Sequence, residues 1–265
     1  MIHKLRLAFG GFVVLIVSIV MLPLQCLCLT FDWKLRRYLP RIWHRIVCWA
    51  FGLRIRVHGA PDRRRPLMLC SNHSSWLDIL VLSAVADVAF IAKIEVRGWP
   101  IFGLFARLQK TVFVVREQKR KTGEQVNEIA ERMAGGEIVV LFPEGTTSDG
   151  NRLLEVKSSL FGAAAAALPG APGGVVHIQP VAVAYTGIHG MPMGRYHRPV
   201  ATWPGDIEML PSLKGVLACG AIDIDVAFGD AVDYTADSNR KQVAAEVTGR
   251  IRTQLSGLLL GRHLG

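Results

Sequence analysis

Residues 67–86 read LMLCSNHSSWLDILVLSAVA. The apolar start, Leu67–Leu69, predicts a short strand. The polar run Ser71–Ser75 predicts a turn, and Trp76–Ala86 a helix. A strand handing over to a helix across a short polar turn is the repeating joint of an α/β domain. The same alternation continues outward in both directions. Further strands are expected at Arg54–Val57, Ala89–Ala92, Val112–Val115, Ile138–Phe142, Ile178–Ala184 and Asp223–Phe228. Further helices are expected at Trp99–Leu108, Thr122–Ala134, Lys157–Leu168 and Asn239–Leu260. Glycine and proline mark the loops between them, as at Gly135-Gly136 and in 169–174. The expected fold class is α/β: one domain around a mostly buried central sheet.

Composition agrees with a packed core and adds a second environment. The 265 residues are 51% hydrophobic and 20% charged, and the mean hydropathy is +0.31. A disordered chain is excluded, and the apolar share exceeds what a soluble domain ordinarily needs. The five cysteines, at 26, 28, 48, 70 and 219, are scattered and odd in number. They form neither a disulfide framework nor a paired CxxC zinc site, which points to a reducing compartment.

The net charge of +10 is unevenly placed. Residues 34–65 carry ten Lys or Arg against the single Asp62, whereas residues 66–265 are balanced. The basic stretch follows an apolar one: residues 8–29 hold no charge over 22 positions. A straight helix of that length reaches about 33 Å, enough for a bilayer. Pro23 argues against an unbroken span, because the part before it, Ala8 to Leu22, reaches only about 22 Å. A cleaved signal peptide is the rival reading, but no small-x-small site follows the apolar run. In Trp33–Phe51 apolar residues recur at helical spacing, with arginines between them and three tryptophans at 33, 43 and 49. A basic amphipathic helix beside an apolar one reads as a membrane-surface device. No nucleic-acid motif accompanies the charge, so a nucleic-acid partner is not expected. Residues 1–52 are therefore expected to form a membrane-associated helical element, and residues 53–265 the α/β domain.

Four stretches could carry chemistry. In Ser71–Asp78, Ser74 or Ser75 can cap the helix and Asp78 sits inside its first turn. His73 lies just ahead, within reach of Asp78. An imidazole held by a carboxylate can take a proton from a hydroxyl. The same residues also read as a capping loop with a backbone-bonded histidine, and spacing alone does not choose. The second stretch, Phe142-Pro143-Glu144-Gly145-Thr146-Thr147-Ser148-Asp149-Gly150, follows an apolar strand. Its glycines allow close approach of a ligand, and its hydroxyls could contact a polar headgroup; an ordinary turn would look similar. The third places Lys93 after a strand and ahead of Gly98-Trp99-Pro100-Ile101-Phe102-Gly103. The fourth ends the strand at Phe113-Val114-Val115-Arg116. Either cation could bind phosphate or carboxylate.

Together these stretches resemble the glycerolipid acyltransferase superfamily, the relatives of bacterial 1-acylglycerol-3-phosphate acyltransferase, over roughly residues 50–200. Asn72-His73 through Asp78 matches the Asn-His-x4-Asp motif, and Phe113–Arg116 the second motif. Glu144-Gly145-Thr146-Thr147-Ser148 matches a third that usually reads Glu-Gly-Thr-Arg-Ser. Ile178-Gln179-Pro180-Val181-Ala182 matches the fourth. The resemblance implies a half-immersed pair of N-terminal helices, His73 as base and Asp78 as its partner, and no metal or redox cofactor. It also implies acceptor contacts from Lys93, Arg116, Glu144, Gly145, Thr146, Thr147 and Ser148.

Thr147 departs from the pattern. Threonine cannot grip a phosphate as a planar guanidinium does, so an acceptor without phosphate is expected. Arg116, Arg152 and Lys157 are the cations that could substitute. The run 142–161, FPEGTTSDGNRLLEVKSSLF, resembles the lyso-ornithine lipid acyltransferases of Gram-negative bacteria. The expected activity is acyl transfer from an acyl thioester, on acyl carrier protein or else coenzyme A, to the hydroxyl of lyso-ornithine lipid. The expected place is the cytoplasmic face of the inner membrane. Lysophosphatidic acid is the competing acceptor, and a lipid-binding protein without turnover the reading from another class. A hydrolase is disfavoured, since the chain has no Gly-x-Ser-x-Gly elbow.

Overall fold

The computed structural model of the protein describes residues 2–114, 119–205 and 208–262, with the side chains of 2–3 and 119–125 left out. Its centre is a sheet whose middle strands are apolar on both faces. Strand β1 is Leu53–His58, β2 Leu67–Ser71, β3 Val88–Lys93, β4 Val112–Val114 and β5 Ile138–Leu141. Strand β6 is Val176–Ile188, β7 Met191–Pro192, β8 Ile222–Phe228 and β9 Val232–Tyr234. The order is β1-β8-β6-β2-β5-β3-β4, with β7 and β9 paired to β6. From β6 to β4 every neighbour is parallel, while β6 and β8 are antiparallel.

Strand β2 shows why the sheet is buried. Leu67 and Leu69 point into one apolar cluster, with Val47, Leu77 and Val81; Met68 and Cys70 point into another, with Met133, Val247 and Ile251. A strand covered on both faces loses the polar alternation of a half-exposed one. The layers are helices α2 (Tyr38–Ala50) and α3 (Leu77–Val85) on one side, and α5 (Lys119–Ala134) and α8 (Arg240–Leu259) on the other. The α/β class and buried sheet read from the sequence are confirmed.

The differences have local causes. Strand β6 runs past the expected Ala184 to Ile188 and contains Pro180. One edge of β6 pairs with β9 up to Ile178 and with β8 from Val181, so the missing N–H falls in the gap between partners. The expected helix 157–168 is a 3-10 turn at Ser158–Phe161 followed by α6 (Gly162–Ala167). The expected helix 99–108 is only α4 (Phe102–Leu108), preceded by a 3-10 segment, Ile94–Gly98. Helix α7 (Met209–Cys219) and the three-residue β9 were not anticipated. Pro211 and Gly215 blur the periodicity of the first, and the second is too short to show any.

Helix α1 runs unbroken from Ile2 to Thr30 with Pro23 inside it, correcting the expected interruption. Contacts on both sides of the proline hold its two halves in line. Trp43 Nε1 donates to Ser18 Oγ at 3.0 Å, and Gln25 Nε2 donates to the carbonyls of Arg36 and Leu108. Nearer its start, Arg6 donates to the carbonyl of Cys219. The helix is long and apolar enough to cross a membrane by length and composition, yet it is docked on the body from Arg6 to Gln25. Its other face leaves Phe9, Phe12, Leu15, Ile19 and Val20 exposed.

Candidate active site

The strand order gathers the predicted stretches at one edge. His73 follows β2, Glu144 follows β5 and Lys93 ends β3, so three adjacent parallel strands deliver them at their C-terminal ends. Arg116, two residues beyond β4, lies outside the described residues, as does Val115.

Asp78 organises the first loop. Its Oδ2 accepts the N–H groups of Ser74 and Ser75, at 2.7 and 2.9 Å, and lies 2.9 Å from His73 Nδ1. A carboxylate already receiving two N–H groups can only accept, so Nδ1 carries the proton and Nε2 is left basic. Oδ1 accepts from Tyr185 Oη at 2.7 Å. Burial, then the neighbouring Asp78, pushes the Tyr185 phenol well above its ordinary range, keeping it a donor. Asp78 and Tyr185 are wholly buried; His73 is 17% exposed and reachable. The His73 ring stacks on Phe142, with centroids 4.0 Å apart at 15°. The plane of the imidazole is thus fixed by a residue on β5's loop and its tautomer by one on α3. Neither Ser74 nor Ser75 takes the N-cap position expected of them, which falls to Trp76 with no side-chain cap; Ser75 Oγ instead accepts the Leu77 N–H at 3.2 Å.

Asn72 clasps the junction to the sheet. Its amide donates to Val183 O at 2.9 Å and accepts from Val183 N at 2.8 Å. The loop therefore cannot shift without breaking a two-pronged bond to β6.

The Glu144 loop braces the first loop more than it faces solvent. Glu144 is 2% exposed, and its two oxygens accept the N–H groups of His73 (2.6 Å) and Leu154 (2.7 Å). Burial pushes its carboxyl up to about 7, against those two bonds. Gly145 turns at φ +70°, with its N–H on the carbonyl of Phe142. Ser148 is buried, donating its N–H to His73 O and its hydroxyl to Ser74 Oγ. Thr147 donates its hydroxyl to the carbonyl of Trp203, whose N–H in turn reaches Ser74 O at 2.7 Å. Thr146 and Lys93 are exposed, and so are Arg152 and Lys157. The structure thus brings His73, Asp78, Glu144 and Ser148 into one bonded cluster, with Thr147 and Gly145 on its border.

Because Glu144 titrates near 7 folded and near 4.5 free, the folded state holds the proton more tightly between those values. Stability from this group is full below pH 4.5 and falls as pH rises through 7, by roughly 3 kcal/mol. Denaturant unfolding of the wild type at pH 5 and 8 should show that loss. Glu144→Gln should show a smaller pH difference, and an equal difference in both would refute the assignment.

Three residues that complete the site were missed in the sequence. Tyr185 lies 107 positions from Asp78 in an apolar strand, where it reads as core. Trp203 is in a loop. Arg198, 5% exposed, donates Nε to Tyr185 O at 3.1 Å, Nη2 to Met193 O at 2.8 Å and Nη1 to Asn151. Gly150 permits that closure: a Cβ there would lie 2.6 Å from Thr202 Cγ2. A motif of two neighbouring titratable groups would have revealed none of the three.

Comparison with known proteins bears on the family and the fold. The family model described as Acyltransferase matches residues 54–184. The lyso-ornithine lipid O-acyltransferase of Rhizobium meliloti is 64% identical over 262 residues, covering 99% of this chain and 90% of that one. The lyso-ornithine lipid O-acyltransferase of Brucella abortus is 51% identical, covering 100% of this chain and 99% of that one. The crystal structure of the 1-acyl-sn-glycerophosphate (LPA) acyltransferase PlsC from Thermotoga maritima superposes with a TM-score of 0.65 at 20% identity. It covers 97% of each chain, a likeness of fold.

Proposed function

Since this chain belongs to the acyltransferase family and is a lysolipid acyltransferase, we propose that it acylates the free hydroxyl of lyso-ornithine lipid, giving ornithine lipid. The observation that carries the chemistry is the 2.9 Å contact between His73 Nδ1 and Asp78. With that nitrogen protonated, Nε2 takes the proton of the acceptor hydroxyl as its oxygen attacks the thioester carbonyl carbon. Asp78 stabilises the imidazolium so formed. The tetrahedral intermediate collapses, the C–S bond breaks, and the imidazolium returns its proton to the departing thiolate. A thioester is already activated, so the reaction calls for no metal or redox cofactor.

Likeness along the whole chain supports the acceptor, and Thr147 is consistent with it. Its hydroxyl is spent on the carbonyl of Trp203, and a neutral side chain there offers no two-pronged phosphate grip. The favoured donor is acyl carrier protein, with coenzyme A as the other thioester. Both are acidic, and the arginines of α2 and the segment before it would raise their encounter rate in a salt-dependent way. The exposed apolar face of α1 would rest in the inner membrane, with the site open to cytoplasmic thioesters.

The test is a comparison of acceptors in one preparation. With acyl carrier protein as donor, lyso-ornithine lipid should react at least about tenfold faster than lysophosphatidic acid, the worth of roughly one charge-assisted pair. Faster product from lysophosphatidic acid would overturn the acceptor. No product from either would leave only lipid binding.

A further inference from the structure

At the opposite end of the sheet from His73 lies a cavity of about 220 Å³. It opens where β3 and β5 begin, between the end of α1, the start of α2 and the end of α3; Val88 and Ile138 form part of its wall. Arg36, Arg37, Arg41, Arg65 and Lys110 line it, with Asp87 and Glu137. Arg36 pairs with Asp32 outside the cavity, and Glu137 faces Arg132 at 3.8 Å. Among the described residues, four further half-buried cations, Arg37, Arg41, Arg65 and Lys110, then face two acids, Asp87 and Glu137. Burial, then Arg36, draws the Lys110 ammonium below its ordinary range, with Glu137 opposing. Lys110 is held there by its backbone: φ is +56°, and its carbonyl accepts from Arg132. A concave surplus of positive charge is costly unless an anion occupies it.

A second observation narrows the anion. Gln25 also lines the cavity. Its Nε2 is oriented by two carbonyls, those of Arg36 and Leu108, so its Oε1 faces the other way. That oxygen is buried and has no hydrogen-bond partner. A buried acceptor of this kind calls for a donor. The chain between two lining residues, Leu29 and Arg36, bears on the source of the ligand. Phe31 and Trp33, stacked with centroids 5.7 Å apart, are 60% and 50% exposed just beyond the end of α1. Aromatic side chains placed so suit the headgroup level of a bilayer.

We propose that this cavity binds the phosphodiester headgroup of an anionic membrane lipid that carries a hydroxyl. Arg37, Arg41 and Lys110 take the phosphate, and a turn of the Gln25 side chain brings Oε1, closed off in this structure, to accept from the hydroxyl. The site is separate from the acyl-transfer centre, so it does not depend on which lysolipid is the acceptor. It gives the enzyme an anchor of defined geometry, beyond the diffuse attraction of a basic surface.

The experiment titrates full-length protein in neutral detergent with glycerophosphoglycerol and, separately, with inorganic phosphate. Vesicles of phosphatidylcholine with and without phosphatidylglycerol provide the second arm. Glycerophosphoglycerol should bind saturably. Arg37→Gln with Arg41→Gln should weaken that binding, and the preference for phosphatidylglycerol vesicles, by at least about tenfold. Arg45→Gln with Arg63→Gln removes the same charge from exposed positions outside the cavity, and should leave headgroup binding within about twofold. Should the paired variant fail to fold, Lys110→Asn is the replacement, since asparagine tolerates a left-handed backbone. Inorganic phosphate binding as tightly as the headgroup would overturn the lipid assignment in favour of a phosphate site. No saturable binding, or equal losses in both paired variants, would overturn the site altogether.

Discussion

Replacing His73 with alanine is expected to lower turnover by about 10²–10⁴-fold while the protein stays folded. The ring is partly exposed, and its packing contact is the stack on Phe142. Losing an aromatic contact of that kind costs roughly 0.5–1.5 kcal/mol, too little to unfold the domain. The loop itself is held independently of the ring, because Asn72 clasps Val183 and the His73 backbone N–H remains on Glu144. The KM for the lysolipid should change little, since a proton acceptor contributes mainly in the transition state. The measurement is steady-state acyl transfer beside a thermal unfolding curve. A folded His73→Ala protein with near-normal turnover would refute the mechanism.

Asp78→Asn should be more damaging, because one change breaks two functions. All the groups meeting Asp78 are donors: two backbone N–H groups, the Tyr185 hydroxyl and His73 Nδ1. An amide of the same shape must turn its own N–H₂ toward one set of them. Turned toward His73, it favours the other imidazole tautomer and leaves Nε2 protonated, unable to act as base. Turnover is then expected to fall by about 10³–10⁴-fold. That orientation also sets the amide against the N–H groups of Ser74 and Ser75, donor against donor in a fully buried place, at about 1–3 kcal/mol. Turned toward Tyr185, the amide donates to the hydroxyl instead, but the imidazolium loses the negative charge that stabilised it. Tyr185→Phe separates these effects. It keeps the three N–H bonds and the tautomer, so stability should fall by about 1–3 kcal/mol while turnover falls far less than in Asp78→Asn. Equal turnover losses in Tyr185→Phe and Asp78→Asn would show that the carboxylate does not act through the ring.

The local part of the site was legible in the sequence. His73 and Asp78 stand five positions apart across one strand-to-helix joint, and that joint fixes their relative position. The alternation of strands and helices was equally legible, because periodicity reports which side of an element is buried. The roles of Glu144 and Ser148 were less so. As exposed-looking loop residues they read as headgroup contacts, yet Glu144 is turned inward onto two backbone N–H groups. Proline misled once: Pro23 predicts a break in an isolated helix, but docking of Ser18 and Gln25 on either side holds α1 straight.

By itself, then, the sequence determined the α/β class and the basic and apolar character of its first 65 residues, and it put an imidazole within reach of an acid. These follow from spacing along a chain whose local geometry is nearly fixed. Only the tertiary structure decided that β5 inserts between β2 and β3, which sets Phe142 against the His73 ring and Glu144 beneath its backbone. It alone brought Tyr185 to Asp78 and closed four arginines and a lysine around one cavity. Hydrophobic pattern states that a face must be covered; which distant segment covers it is settled by the packing of the whole core.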